Sequence, residues 1–263
     1  MFNHETPFPD LIAYRMKALA SLCWLAALVM ALPSIVCAGE FQAGAAAVVI
    51  TPPVGTPLAG SYHLRGSIGV LDDLYAKAIV VEQDGVKAAF VALDLAPPYT
   101  ARPGVVAARK LIAEQTGIAP DRVMISATHT HSGPVQTRDN LMDDITGATK
   151  PLAVEFTAKL PALIARAVAD ANAKLAPARA SAALGREDSV SFNRRYWMKD
   201  GTVAWMPARL NPNIMRPAGP IDPDVGVCYL ESAARDAAPV AAYVNFAMHP
   251  RKAVKFACSP VQG

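Results

Sequence analysis

The stretch ISATHTHSGP, residues 125–134, joins a short apolar strand to a polar turn that a glycine and a proline close. Alternate residues of a strand share a face, so the imidazoles of His129 and His131 are expected to point the same way at the strand's end. Two neutral imidazoles on one rigid element suit a borderline-soft cation such as zinc. A pair of solvated or hydrogen-bonded loop histidines fits the same spacing, because HxH is a short motif that also occurs without a metal.

The segments around this stretch predict an α/β domain in which helices cover a mixed β-sheet. Two β-rich runs, 75–82 and 86–95, flank Gln83-Asp84-Gly85, a turn that favours a hairpin. A helix is predicted over 103–116, with a proline near its start and a glycine just past its end, and it leads into the histidine strand at 123–127. Further strands are predicted at 43–50, 180–184, 195–198, 202–206, 225–231 and 240–247.

A second helix is predicted over 152–174, where apolar residues recur every three or four positions and can cover a sheet face. Pro161 within it is expected to limit the regularity of its first half. The polar segment 136–149 before this helix contains three aspartates. Acids at the mouth of a pocket are one interpretation of it, and a solvated loop is the favoured one.

The length and composition fit one large domain or one and a half, and they argue against a nucleic-acid partner. Of the 263 residues, 52% are hydrophobic, which provides ample core for a single domain. The formal net charge of +3 is small, and the basic residues are scattered rather than clustered. Nucleic-acid binding needs a concentrated basic surface, so we expect none.

The first 38 residues have the pattern of a secretory signal peptide. Arg15 and Lys17 precede an apolar run over 18–36, and small residues precede Gly39 as they do at cleavage sites. Met16 also fits as the start of translation, and a retained membrane anchor is the competing interpretation of the run. Export would place the mature chain, 39–263, in the periplasm or outside the cell.

Export also permits a disulfide between the two cysteines of the mature chain. These are Cys228 and Cys258. Because the sequence around Cys228 has an apolar strand pattern, a buried free thiol is the favoured state of that residue.

Two other segments contain polar residues of types that are common in active sites. Arg194 belongs to the segment SFNRR, residues 191–195, and His249 ends an apolar strand in the segment AMHP, residues 247–250. Each has an ordinary structural explanation: an arginine pair is often salt-bridged at the surface, and a strand-end histidine often bonds to the backbone. Taken separately, neither group indicates a site.

Several motifs occur in the order found in the neutral/alkaline, non-lysosomal ceramidase family, which the chain resembles over about 44–250. The most specific is ATHTHSGP at 127–134; the others are Gly44 with ITPPVG at 50–55, LAG at 58–60, DDLYAKA at 72–78, ALDL at 92–95, NR at 193–194, IDPDVG at 221–226 and NFAMHP at 245–250. The resemblance implies a zinc-dependent amidase that cleaves N-acylsphingosine (ceramide) to a fatty acid and sphingosine.

The same resemblance implies a role for each of four residues. His129 and His249, remote in sequence, match zinc ligands, and His131 matches a residue that contacts the bound water or the substrate. Arg194 matches an arginine that polarises the scissile carbonyl. A zinc-activated hydroxide would attack the amide while the guanidinium stabilises the oxyanion.

The family pattern also implies that two more ligands, a glutamate and a tyrosine, follow the histidine-proline motif. The domain over 39–263 is therefore expected to be incomplete at its C-terminal end. The implied partner is a lipid substrate, through which the chain would contact a membrane surface; no oligomeric state is predicted. A related hydrolase of another amide or ester, and a non-catalytic secreted fragment, are the alternative functions.

Overall fold

The computed structural model of the protein describes residues 40–96, 102–208, 210–235 and 237–249. The predicted signal peptide, 1–38, lies outside these ranges, and so does Cys258 with the disulfide considered for it. Cys228 is half-buried and forms no disulfide with any described residue. None of the helices in the described ranges is long and apolar enough to cross a membrane.

A seven-stranded mixed sheet lies at the centre of the fold, and its strands are β1 (Gln42–Val49), β2 (Tyr75–Gln83), β3 (Val86–Leu93), β4 (Val123–Ala127), β5 (Ala176–Arg186), β9 (Asp224–Ser232) and β10 (Pro239–Phe246). Their order across the sheet is β10-β9-β5-β1-β2-β3-β4. Neighbours run antiparallel except for the parallel pair β3–β4. The predicted α/β class with a mixed sheet is confirmed.

A smaller sheet of three strands follows β5 in the chain. It consists of β6 (Arg195–Met198), β7 (Val203–Trp205) and β8 (Ile214–Pro217), in the order β7-β6-β8. The hairpin of β6 and β7 lies where the sequence predicted it. Strand β8 was not predicted, because a four-residue segment that ends in proline is too short to show an alternating pattern.

The helices are α1 (Arg102–Thr116), the short α2 (Met142–Thr146) and α3 (Pro151–Asn172). Alternate residues of β2 and β3, such as Ala78 and Val91, are buried under α1 and α3, which contribute Ile112 and Ile164 to the same core. This is the period-two burial that an amphipathic strand predicts when helices cover one of its faces.

Two local predictions were wrong. Helix α3 runs without interruption through Pro161, because a proline removes a single backbone donor while the long apolar face of the helix stays packed on the sheet. The segment 136–149 is not a solvated loop, since it contains α2 and the buried Asp143. One oxygen of that carboxylate accepts the backbone N–H groups of Arg138 and Asp139, each at 2.8 Å.

The large sheet curls back on itself, so that β10 covers the face of β2 and β3 opposite the helices. The rings of Phe90 in β3 and Tyr243 in β10 have centroids 6.0 Å apart. Ile79 of β2 and Val240 of β10 pack against one small cluster that contains Leu230. The curl brings the two outermost strands, β4 and β10, to the same side of the molecule.

Candidate metal centre

The turn after β4 carries the first two histidines. The chain continues alongside the end of β3, where the backbone N–H of Thr128 donates to Leu93 O at 2.9 Å and that of Thr130 to Leu95 O at 3.1 Å. Between these two hydrogen bonds, His129 has φ 64°, in the left-handed region that non-glycine residues rarely adopt. A strained backbone held by its neighbours therefore directs this imidazole.

The third histidine comes from the other outermost strand. Strand β10 ends at Phe246, and His249 follows it after a turn in which the backbone N–H of Met248 donates to Phe246 O at 3.0 Å. Because the sheet curls, this segment reaches the turn after β4. Two chain segments that lie far apart in sequence thus contribute to one cluster.

The three imidazole rings are in mutual contact. Ring centroids are 4.4 Å apart for His129 and His249, 4.9 Å for His129 and His131, and 4.9 Å for His131 and His249. One nitrogen from each ring lies within 4.8 Å of the other two, and all three residues are half-buried. The rings are tilted or edge-on to one another rather than stacked.

The surroundings of His129 disfavour its protonated form. Its pKa is lowered from 6.5 to about 4, with burial as the largest cause. The nearby positive charges of His249, His131 and Arg194 lower the pKa further, in that order. His129 is therefore a neutral imidazole at neutral pH, which is the state that binds a metal.

Arg194 lies beside the cluster, immediately before strand β6 of the small sheet. Its guanidinium carbon is 6.0 Å from the centroid of the Trp205 ring, within cation–π range, and its backbone carbonyl accepts the N–H of Met206 at 2.8 Å. The neighbouring Asn193 accepts the backbone N–H of Arg195 at 2.9 Å through its side-chain oxygen. These contacts hold the guanidinium close enough to influence the pKa of His129.

A cavity of about 320 Å³ opens next to the histidines. Arg194 and His249 line it together with apolar side chains that include Phe192, Met206 and Met248. The lining also contains the polar Ser191 and Asn193 and the acidic Asp222, so charged and polar groups share the cavity with an apolar wall. This arrangement fits a molecule with a polar head and an apolar chain.

The donor set fits a transition-metal ion. Neutral imidazoles favour zinc and its neighbours over magnesium or calcium, which prefer oxygen ligands. With zinc–nitrogen bonds of about 2.0–2.1 Å, neighbouring ligand atoms of a tetrahedral site are about 3.3–3.4 Å apart. The three imidazole nitrogens lie within 4.8 Å of one another. Among the described residues, no carboxylate or thiolate joins the group.

Solved structures of ceramidases are similar to this chain. The crystal structure of neutral ceramidase from Pseudomonas aeruginosa superposes with a TM-score of 0.62 and 24% sequence identity, over 80% of this chain and 32% of that one. A ceramidase complexed with C2 superposes with a TM-score of 0.58 and 24% identity, over 80% of this chain and 31% of that one. This chain has a neutral ceramidase-like fold.

The chain spans about a third of the length of these two ceramidase-like structures. No protein-family model and no curated protein matches it. The similarity therefore concerns the fold, and the chemistry of the site is argued from the residues themselves.

All four residues named from the sequence lie at this edge of the ceramidase-like fold: His129, His131 and His249 in the cluster, and Arg194 on the adjoining cavity. The sequence assigned His131 to the surroundings of the metal, and one of its ring nitrogens lies within 4.8 Å of a nitrogen of each of the other two histidines. Sequence reasoning missed Trp205 as a partner of Arg194, because the ring stands on β7 and no local spacing connects the two.

Proposed function

We propose that this chain carries the histidine and arginine part of a ceramidase-like, zinc-dependent amide hydrolase site. The proposed substrate is N-acylsphingosine or a similar N-acyl lipid, cleaved to a fatty acid and an amino alcohol. The observation that carries the proposal is the convergence of three imidazoles beside a guanidinium, next to a cavity that His249 and Arg194 line together with apolar side chains.

In this proposal His129 and His249 are the zinc ligands. The low pKa of His129 keeps its nitrogen lone pair available at neutral pH, so no proton has to leave before a metal binds. When bound, zinc supplies Lewis-acid activation of water and of the amide carbonyl. His131 would accept a hydrogen bond from the attacking water or donate one to the substrate.

Arg194 is the proposed electrostatic partner of the scissile carbonyl. Attack on an amide concentrates negative charge on the carbonyl oxygen, and a fixed cation next to that oxygen lowers the barrier. The guanidinium lies over Trp205 and lines the cavity that His249 also lines. The proposed contacts of the acyl chain are three apolar side chains that line the same cavity: Phe192, Met206 and Met248.

The remaining assignments belong to the same proposal. Residues 1–38 are a signal peptide, the mature chain acts in the periplasm or outside the cell, and residues 39–263 form part of the amidase domain. The lipid substrate brings the chain to a membrane surface.

The test measures zinc and turnover on the same preparations. We expect the purified protein to retain stoichiometric zinc after dialysis and to release fatty acid from a labelled ceramide. The variant His129→Ala should lose the metal, whereas His63→Ala, which removes an exposed histidine outside the cluster, should keep it. Zinc with turnover only of other amides or esters would point to the related hydrolase. A protein that holds no zinc and shows no turnover would contradict the proposal.

A further inference from the structure

A loop formed by residues 57–66 packs against the turn that carries His131. The backbone N–H of Ala59 donates to Gly133 O at 2.9 Å, and the N–H of Val135 donates to Pro57 O at 2.9 Å. Between these two hydrogen bonds, Leu58 is completely buried. The first residues of the loop, 57–59, are therefore fixed against the histidine turn.

Gly60 in this loop faces the ring of His131. A Cβ added at Gly60 would overlap with Cβ, Cγ and Nδ1 of His131, all well inside the 3.0 Å that Cβ atoms essentially never violate. The residue also has φ +81°, where a side chain is strained. The absence of a side chain at this position thus makes the space in which the imidazole lies.

Arg65 holds the backbone of the same histidine. Its Nη2 donates to the carbonyl oxygen of His131 at 3.1 Å, and its own carbonyl accepts the N–H of Leu58 at 2.8 Å. No carboxylate in the described ranges forms a salt bridge with Arg65, so this carbonyl is the partner that the structure gives its guanidinium. One loop therefore limits both the ring and the main chain of His131.

We propose that Gly60 and Arg65 are positioning residues of His131. Gly60 gives the ring a single place beside His129 and His249, and Arg65 fixes the peptide from which the ring projects. If either contact is lost, the His131 ring moves away from the rings of His129 and His249, which stay in contact. The part of this inference that concerns metal affinity rests on the proposed function, whereas the part that concerns packing does not.

The packing part is tested by a double-mutant cycle that needs no metal. Gly60→Ala should lower the thermal unfolding midpoint by several degrees more than Gly201→Ala, because Gly201 has the same φ of +81° but open space around it. Replacing His131 by glycine removes the ring and its Cβ, so in that background the extra loss at Gly60 should disappear. Equal losses at Gly60 with and without His131 would overturn the proposal.

The cycle also covers a variant that fails to fold. If Gly60→Ala alone is insoluble, the double variant with His131→Gly should be recovered, because the overlapping atoms are gone. Failure of the double variant as well would show that the clash lies elsewhere, and that result counts against the proposal.

The metal part is measured by titrating Zn²⁺ into metal-free protein. Gly60→Ala, which displaces His131 from beside the two ligand histidines, should bind zinc about ten- to hundredfold more weakly than wild type, as loss of a residue that surrounds the ligands does, while Gly201→Ala binds as wild type. Arg65→Met, which removes the donor without adding volume, should weaken binding roughly two- to tenfold. Wild-type affinity in both variants would overturn the positioning role.

The two proposals fail in different ways. If the wild-type protein takes up no zinc, the proposed function falls, and the thermal cycle still decides whether Gly60 sets the position of His131. If zinc binds and the cycle shows no coupling, the proposed function survives and the positioning role falls.

Discussion

Replacing His129 by glycine should give a more stable protein than replacing it by alanine, although both variants lose the imidazole. The reason is the backbone of this residue, whose φ of 64° is left-handed. Alanine keeps that strain because it has a Cβ, whereas glycine adopts the conformation freely. The comparison separates the cost of the backbone from the loss of the ring, since neither variant has a ring.

The expected difference follows from two opposing terms. A left-handed conformation costs a residue with a Cβ roughly 1–2 kcal/mol. Glycine removes this cost, but it gains more conformational entropy on unfolding than alanine does. That entropy offsets about 0.4–1 kcal/mol of the stability gained by removing the strain. The free energy of unfolding should therefore be roughly 0.5–1 kcal/mol greater for His129→Gly than for His129→Ala.

The measurement is equilibrium urea unfolding of the metal-free variants. Thr128 provides the control, because it is the neighbouring residue and does not have a positive φ. There the order should reverse, with Thr128→Ala more stable than Thr128→Gly. If alanine were at least as stable as glycine at position 129, the strain argument would be refuted. Zinc retained in either His129 variant would refute the ligand assignment.

Three further outcomes are expected. Between pH 6.5 and about 4, the metal-free protein should lose stability as the pH falls, because the unfolded chain takes up a proton at His129 that the folded chain excludes; in urea unfolding at several pH values, His129→Asn should flatten this slope. Ile164→Ala in the core face of α3 should cost about 2–5 kcal/mol by thermal unfolding, against about 0.5 kcal/mol or less for the half-exposed Val154→Ala of the same helix. Gly44→Ala should cost about 1–3 kcal/mol, because its Cβ would overlap with the carbonyl oxygen of Ala171, whereas Gly185→Ala meets only ordinary contacts at 3.7 Å and should cost less.

Helices and strands whose ends are set by the residues next to them could be predicted from the sequence. The hairpin of β2 and β3 turns at Asp84 and Gly85, which both have positive φ as a tight two-residue turn requires. Helix α1 ends at Thr116 before Gly117, whose φ is +72°. Each of these signals acts within a few residues, so no knowledge of the rest of the chain was needed.

Features that depend on distant segments could not be predicted in this way. The burial of Asp143 depends on a turn that wraps around its carboxylate, and nothing in the residue types of 136–149 distinguishes that arrangement from a solvated loop. The curl of the large sheet likewise depends on β5 pairing with both β1 and β9. Hydrophobic alternation defines the faces of each strand but not the path of the sheet.

For the histidine pair, the sequence predicted the outcome correctly but not the backbone conformation that produces it. Strand alternation predicted that His129 and His131 point the same way, and their rings do lie side by side, at 4.9 Å. The strand, however, ends at Ala127, and His129 is left-handed, so a turn conformation brings the rings together. The approach of His249 was implied by resemblance to a family rather than by any spacing in the sequence.

The curl of the large sheet has a consequence for how a bound ion would act on the protein. The histidines come from β4 and β10, the first and last strands in spatial order, so an ion held between them would close the open sheet into a ring-like arrangement. Partly folded chains that lack either border strand would have no complete site. Ion uptake would therefore report that the sheet has closed, and free zinc at a hundred times its dissociation constant would stabilise the closed form by about 2.7 kcal/mol.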